Sequence, residues 1–441
     1  MGFNISILGG GSAYTPGLVD GLLKFGGELP VDRLALMDVD SEKLSAVHPL
    51  VARMVREQQP EARVEATGDR ARALEGADFV LCQIRVGGLA ARHLDEAIPL
   101  RYGVIGQETT GPGGMAMALR TIPVMVDIAR DMERIAPRAW LINYTNPTAM
   151  VAQAVTRLTG ARMLSICDVP IGIWELVSRL MGVPRQSLEF GYAGLNHLGW
   201  VRYIRHQGQD ILPNLRAFAG ALDPHSLPPE LAGALSEADD KTRGEVVNML
   251  RLFVHRGAIP SPYLQYFYFQ DELLAKQRAA SRTRAQEVMA LEAELLPHFK
   301  AAAASGSLTG VWDKRGASWH SELMVAVVAA IAHDKDEVHV VNVPNHGLIP
   351  GLGEDKIVEV PAAIGATGAK PLPVEPLDPD MLGLMQVVGA YEELTVQAAL
   401  AGDRNKAVRA LAIHPLVPSW DVASAIVSDY LEAHRAYLPQ F

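Results

Sequence analysis

The strongest constraint on this chain is a rhythm in its first 170 residues, where short and mostly apolar segments alternate with stretches of helical spacing. Asn4–Gly9, Arg33–Asp38, Phe79–Gln83, Trp140–Asn143 and Met163–Cys167 read as strands without period-two alternation. Such strands are expected to be covered on both faces. Leu18–Phe25 and Ser41–Gln58 read as helices between them, the second starting at Ser41-Glu42 with a kink expected at Pro49. Strand, helix, strand, helix with short links predicts a doubly wound parallel sheet of Rossmann type.

Past about residue 170 the pattern changes. Leu188–Tyr192 and Gly199–His206 are strand-like and precede a Pro- and Asp-bearing stretch from Gln207 to Asp240. Helices are expected at Gly244–Val254, Ala280–Leu295, Met381–Leu400 and Lys406–Ala412, with Ala301–Gly310 as an exposed connection. Strands Glu337–Val343 and Ile357–Ala362 flank a Pro-Asn-His-Gly turn. The expected architecture is α/β: an N-terminal Rossmann-like doubly wound parallel sheet in residues 1–170, then a mixed α/β (α+β) domain in 171–441.

Charge and hydropathy narrow the function. A formal net charge of -10 excludes nucleic acid as the main partner, because a phosphate backbone selects basic surfaces. The apolar run Leu323–Ala332 is too short to span a bilayer, so no membrane partner is expected. The N-terminus enters a strand at once, without the basic and apolar regions of a signal peptide. Two cysteines make no disulfide framework, and a cytoplasmic setting is expected.

Gly9-Gly10-Gly11-Ser12 closes the first strand just before a helix, where a backbone must approach a pyrophosphate closely. The helix start offers free N–H groups and a positive dipole end. The third fingerprint glycine is replaced by Tyr14. Asp38, ending the second strand, suits the ribose hydroxyls of NAD and repels the extra phosphate of NADP.

Polar residues gather where strands of the parallel sheet should end: Arg85 and Arg92, Glu108 within a Gly-Gln-Glu-Thr-Thr-Gly-Pro-Gly-Gly run, and Asn143 and Asn146 in Asn-Tyr-Thr-Asn-Pro. Cys167-Asp168-Val169-Pro170 ends the next strand, and Asn196-His197-Leu198-Gly199-Trp200 follows. Two readings of Cys167 and His197 stay open: a core thiol with a turn histidine, or a two-ligand divalent site completed by substrate oxygens and water. Tyr263 lies in an aromatic segment after two prolines, and Arg284 near a helix start, where anions collect.

Taken in order, Gly9–Pro16, Ile84–Gly88, Gly106–Gly114, Asn143–Pro147, Cys167–Pro170, Gly194–Trp200, Tyr263–Tyr266, Thr283–Met289 and the closing Tyr437–Phe441 resemble glycoside hydrolase family 4, the NAD- and manganese-dependent glycosidases. The likeness covers essentially the whole chain and implies an NAD-binding domain in 1–170 and a substrate- and metal-binding domain in 171–441, lactate/malate-dehydrogenase-like overall. It implies that NAD takes a hydride from sugar C3, a base removes the acidified C2 proton, a divalent metal holds the enediolate, and the C1–O bond is lost by elimination. Water then adds and the hydride returns.

By position, the resemblance implies that Cys167 and His197 ligate Mn2+ or another divalent metal, that Tyr263 is the base and that Glu108 raises its basicity. It implies substrate contacts for Arg92 and Asn146 and a 6-phosphate contact for Arg284. The implied substrate is a phosphorylated disaccharide or aryl glucoside 6-phosphate, bound by a homodimer or homotetramer. Asp168 matches a general acid of α-acting members, whereas the C-terminal third, including Val341–Asn345, looks like the β-acting group; β is the expected preference. A plain lactate- or malate-type dehydrogenase would instead accumulate NADH without needing metal, and an NAD-binding sensor would bind without turnover.

Overall fold

The computed structural model describes residues 2–221, 239–306 and 318–441, together with 231, 233 and 235. Six strands form the N-terminal part: β1 (Phe3–Leu8), β2 (Val31–Met37), β3 (Arg63–Thr67), β4 (Phe79–Cys82), β5 (Trp140–Asn143) and β6 (Met163–Ile166). They pair in parallel in the spatial order β6-β5-β4-β1-β2-β3, the doubly wound arrangement expected from the alternation. Ile5, Ile7, Leu8, Val80 and Leu81 are fully buried, as strands covered on both faces must be. The edge strand β3 was not anticipated: Arg63-Val64-Glu65-Ala66-Thr67 carries charges that suit an edge and resemble a loop in sequence.

The sheet does not stop at β6. After β7 (Leu188–Leu195), β8 (Leu198–His206), β9 (Gln209–Asp210) and β10 (Ile259–Pro260) come β11 (Glu337–Pro344), β12 (Ile357–Gly365) and β13 (Gly368–Pro371). β11 adds antiparallel to β6, and the order continues β11-β12-β7-β8-β10, giving one 13-stranded sheet among the described residues. One row of polar residues crosses it in register. Glu359 faces Asn342, Asn342 faces Ser165, Ser165 faces Asn143, and Asn143 faces Cys82. All five are buried.

Caps set the helix starts. Asp40 accepts from the N–H groups of Glu42 and Lys43 to open the helix Ser41–Gln58, which runs on through Pro49. Thr283 and Gln286 form a capping box opening the helix Arg284–Ser305. Two expectations are corrected here. The segment expected to be helical from Ala280 begins instead at Arg284, because an earlier helix, Gln270–Ala279, ends first. The connection expected at Ala301–Gly310 is helical to Ser305, with Ala302 buried, since alanine is the best helix former; Gly306 at φ 83° ends it. Residues 307–310, and 222–230 of the irregular stretch, lie outside the described residues. Leu323–Ala332 is a core helix segment, and no helix among the described residues is long and apolar enough to cross a membrane.

Candidate active site

At the carboxyl end of β1, Gly9 adopts φ 84°, and a Cβ on Gly10 would stand 2.9 Å from Leu36 Cβ. Gly11 N–H donates to Asp38 Oδ2 at 2.8 Å, so the loop rests directly on the end of β2. Ser12 Oγ accepts from Tyr14 N–H at 3.2 Å. Tyr14 stands at the N-cap of the helix Thr15–Lys24 without a side-chain cap, so that helix presents its backbone N–H groups outward. A tight turn, an uncapped helix start and a carboxylate at the end of β2 fit a dinucleotide.

A second cluster lies at the ends of β4 and the following helix, Gly88–Arg101. Glu108 is bound by Arg85 at 2.7 Å and by Arg92 at 3.1 Å, and Arg92 also holds Glu96 at 2.7 Å. Burial would raise the Glu108 carboxyl, but the two guanidiniums hold it at about 2, so it is a permanent anion. Its loop is kept tight by Gln107 Oε1, which accepts from the N–H groups of Thr109 at 2.6 Å and Thr110 at 2.5 Å. A Cβ on Gly113 would lie 2.1 Å from Gln107 O, which explains the glycine there.

The third cluster joins both halves of the chain. Cys167 follows β6 directly and is the N-cap of the helix Asp168–Met181. His197 sits at φ 65° in the tight β7–β8 turn and engages Thr109 Oγ1 through Nδ1 at 2.9 Å. That contact leaves Nε2 as the ring atom for a metal. Tyr263 stacks on the His197 ring, with centroids 3.8 Å apart and planes 4° apart. The Asn196 amide hydrogen-bonds the Cys167 thiol, so the residue next to His197 in the chain reaches the end of β6.

Burial pushes the His197 imidazole down to about 4, so it is neutral at pH 7, the form that binds metals. Burial, with Glu359 and Asp168 nearby, drives the Cys167 thiol well above its usual range, so a cation is needed to release its proton. Burial and then Glu108 push Tyr263 well above 10. Among the described residues no three His, Cys, Asp or Glu side chains converge on one metal position. A neutral imidazole and a thiol that a cation would deprotonate are donors that suit two ligand positions of a divalent ion.

Other candidates sit at the rim. Asn146, before a cis peptide bond to Pro147, accepts from Thr148 N–H and Oγ1 at 3.4 and 3.1 Å, so its oxygen makes a turn and its NH2 remains for a ligand. Asp168 is raised by burial and accepts from Tyr144. Arg284 is half exposed and pairs with Glu287 at 2.9 Å and Asp239 at 3.6 Å. Its neighbour Ala285 donates N–H to Glu96 at 2.8 Å, one link from Arg92.

The residue missed in sequence is Glu359. Its carboxyl is fully buried, and Asn196, Asn342 and Tyr192 donate to it at 2.9, 3.0 and 3.1 Å. Burial pushes it up to about 7. A lone acid inside the apolar run Ile357–Ala362 was the available signal. A cleft of about 560 Å³ between Trp174, Phe190, Arg205 and His339 lies elsewhere and contains none of the candidate residues.

Comparison with known proteins bears on this geometry. Residues 4–183 match the family model for family 4 glycosyl hydrolases, and residues 192–417 match that for the family 4 glycosyl hydrolase C-terminal domain. The chain is 38% identical to a probable 6-phospho-beta-glucosidase of Bacillus subtilis, with 100% of this chain and 98% of that protein covered. It is 36% identical to the 6-phospho-beta-glucosidase of Escherichia coli (98% and 96% covered) and 34% identical to 6-phospho-alpha-glucosidase 1 of Lacticaseibacillus paracasei (99% and 98%). Among solved structures, a 6-phospho-alpha-glucosidase from gut microorganisms in complex with NAD and Mn2+ superposes with a TM-score of 0.90 at 30% identity, covering 99% of both chains. The 6-phospho-beta glucosidase of Thermotoga maritima with manganese, NAD+ and glucose-6-phosphate gives 0.87 at 29%, covering 98% of both. A lactate dehydrogenase from Eimeria maxima shares the fold alone, with a TM-score of 0.53 at 14% identity, over 91% of this chain and 96% of that one.

Proposed function

The chain belongs to glycosyl hydrolase family 4, and from that premise we propose that it hydrolyses 6-phospho-glucosides, preferentially β-linked, using NAD and Mn2+. The observation that carries this reading is the stacking of Tyr263 on His197 beside Cys167 and Glu108, which joins a proton acceptor, a metal position and a fixed anion in one place. When bound, NAD supplies reversible hydride exchange with the sugar and the divalent metal supplies positive charge beside it.

The chain's own groups do the rest. Once its own proton has passed to solvent, the Tyr263 phenolate Oη takes the proton from sugar C2, and Glu108 raises its affinity for that proton. Arg92, oriented by Glu96 and Glu108, and Asn146 donate to sugar hydroxyls. Arg284 takes the 6-phosphate at the rim, exchanging its weak surface pairs for a doubly charged anion. Asp168, whose buried carboxyl keeps its proton to higher pH, gives it to the leaving oxygen. Gly9, Gly10, Gly11 and Ser12 cradle the dinucleotide phosphates, with Asp38 on the ribose.

The β preference is supported by the relatives at 38% and 36% identity, both named for β-linked substrates. We assign residues 1–170 to the dinucleotide and 171–441 to the substrate and metal side. A phosphosugar does not diffuse through a bilayer, which supports a cytoplasmic enzyme, here taken as a homodimer or homotetramer. Release of p-nitrophenol from the α- and β-glucoside 6-phosphates, with and without NAD+ and Mn2+, tests the reading. Cleavage of the β-anomer that requires both additions supports it, and steady NADH accumulation without cleavage would favour a plain dehydrogenase.

A further inference from the structure

Glu359 stands in the middle of β12 with no exposed surface. Burying a carboxylate is costly unless a charge answers it. Its three donors, Asn196, Asn342 and Tyr192, are all neutral, and no ion pair involving Glu359 occurs among the described residues. A glutamine would satisfy the same donors, its oxygen accepting from both asparagines and its NH2 donating to a turned Tyr192 hydroxyl. What the glutamate adds over glutamine is therefore its charge.

The position of that charge is specific. The Asn196 amide touches both the Glu359 carboxyl and the Cys167 thiol, and the next residue is His197. Asn342, directly across the ladder from Glu359, pairs in register with Ser165, two residues before Cys167. Both Glu359 oxygens already accept hydrogen bonds, Oε1 from Asn196 and Asn342 and Oε2 from Tyr192, so the carboxylate backs the ligand pair through these donors.

We infer that Glu359 is a positioning residue for the divalent cation: a buried carboxylate that, through Asn196, supplies the negative charge that Cys167 and His197 lack. The inference rests on the metal reading above. A dication held by one thiolate and one neutral imidazole carries a net positive charge in a buried place, and an anion one side chain away, across Asn196, offsets it.

The test is Mn2+ binding to the full-length protein without NAD or sugar, followed by the electron paramagnetic resonance of free Mn2+, alongside thermal melts of the metal-free protein. Wild type should bind Mn2+ and Cys167→Ser should not; Mn2+ binding indifferent to Cys167 would overturn the metal reading itself. Glu359→Gln should weaken Mn2+ binding roughly 10- to 100-fold while raising the melting temperature of the metal-free protein at pH 8, because an amide is cheaper to bury. Glu359→Asp should bind Mn2+ more tightly than Glu359→Gln. Unchanged affinity in Glu359→Gln, tighter binding by Gln than by Asp, or a Glu359→Gln protein that melts lower would each overturn the inference while leaving the metal reading standing.

Discussion

The ring of Tyr263 lies flat on the imidazole of His197, 3.8 Å between centroids and 4° between planes. Three segments far apart in sequence are needed to make that contact: the β7–β8 turn, the loop of Thr109 that holds His197 Nδ1, and the short 3-10 turn that carries Tyr263. A phenol this buried, beside an anion, keeps its proton at neutral pH in the metal-free protein. A divalent cation held by His197 would favour loss of that proton.

Tyr263→Phe keeps the stacked ring and removes only the oxygen. NAD binding, measured by fluorescence titration, should be unchanged, and kcat should fall roughly 100- to 10,000-fold, as loss of a positioned base does. A variant with wild-type kcat would remove Tyr263 from the chemistry.

Asp168→Asn separates leaving groups. Cleavage of a phosphorylated disaccharide, whose sugar alkoxide needs a proton, should slow about 100-fold, while p-nitrophenyl 6-phospho-glucoside, which departs without one, should be cleaved at nearly the wild-type rate. Equal losses on both would assign Asp168 to orientation rather than proton donation.

Arg284→Ala should raise KM for phosphorylated glucosides about tenfold or more with little change in melting temperature, because its pairs with Asp239 and Glu287 are half exposed and screened. An unchanged KM would clear Arg284 of the phosphate.

The stability of the metal-free protein should carry the signature of Glu359. Its folded pKa is raised to about 7 from 4.5, so between those values the folded state holds a proton that the unfolded chain has released. Stability from that proton is present below about 4.5 and lost as pH rises through about 7. Melting temperatures of wild type and Glu359→Gln should therefore diverge by several degrees from pH 5 to pH 8, with the variant higher at pH 8. Parallel curves would show that Glu359 ionises normally.

The Asp95–Arg120 pair tests the scaffold under the site. Asp95 is fully buried, Arg120 nearly so, and they form two bonds of 2.8 and 2.7 Å with His434 against the same carboxylate at 2.9 Å. Arg120→Met leaves that carboxylate without its guanidinium and should cost about 3–5 kcal/mol, read as a lowered denaturant midpoint. A loss under about 1 kcal/mol would contradict that role for the pair.

The parallel half of the fold was legible because covered strands are written as apolar runs and the glycines of residues 9–11 punctuate the first of them. The edge strand β3 was not, since its charged residues serve the solvent side. For the site, single residues spoke weakly: Cys167 and His197 admitted a bland reading until ordered motifs were taken together, and the structure then set them beside Asn196 and Tyr263. Glu359 stayed hidden because its meaning lies in cross-strand register with Asn342, and strand pairing between β6 and β11 joins Asn342 to Ser165, 177 positions apart, a relation no local pattern encodes.

The central claim is proton removal at C2 by Tyr263, and the direct measurement is hydrolysis of a 6-phospho-β-glucoside in D2O, with the product glucose 6-phosphate examined by proton NMR. Deuterium at C2 of the product is expected in wild type, because a proton taken by a solvent-exchangeable phenol returns as deuteron. Full turnover with protium retained at C2 would contradict the claim and point to displacement at C1 without any C2 chemistry.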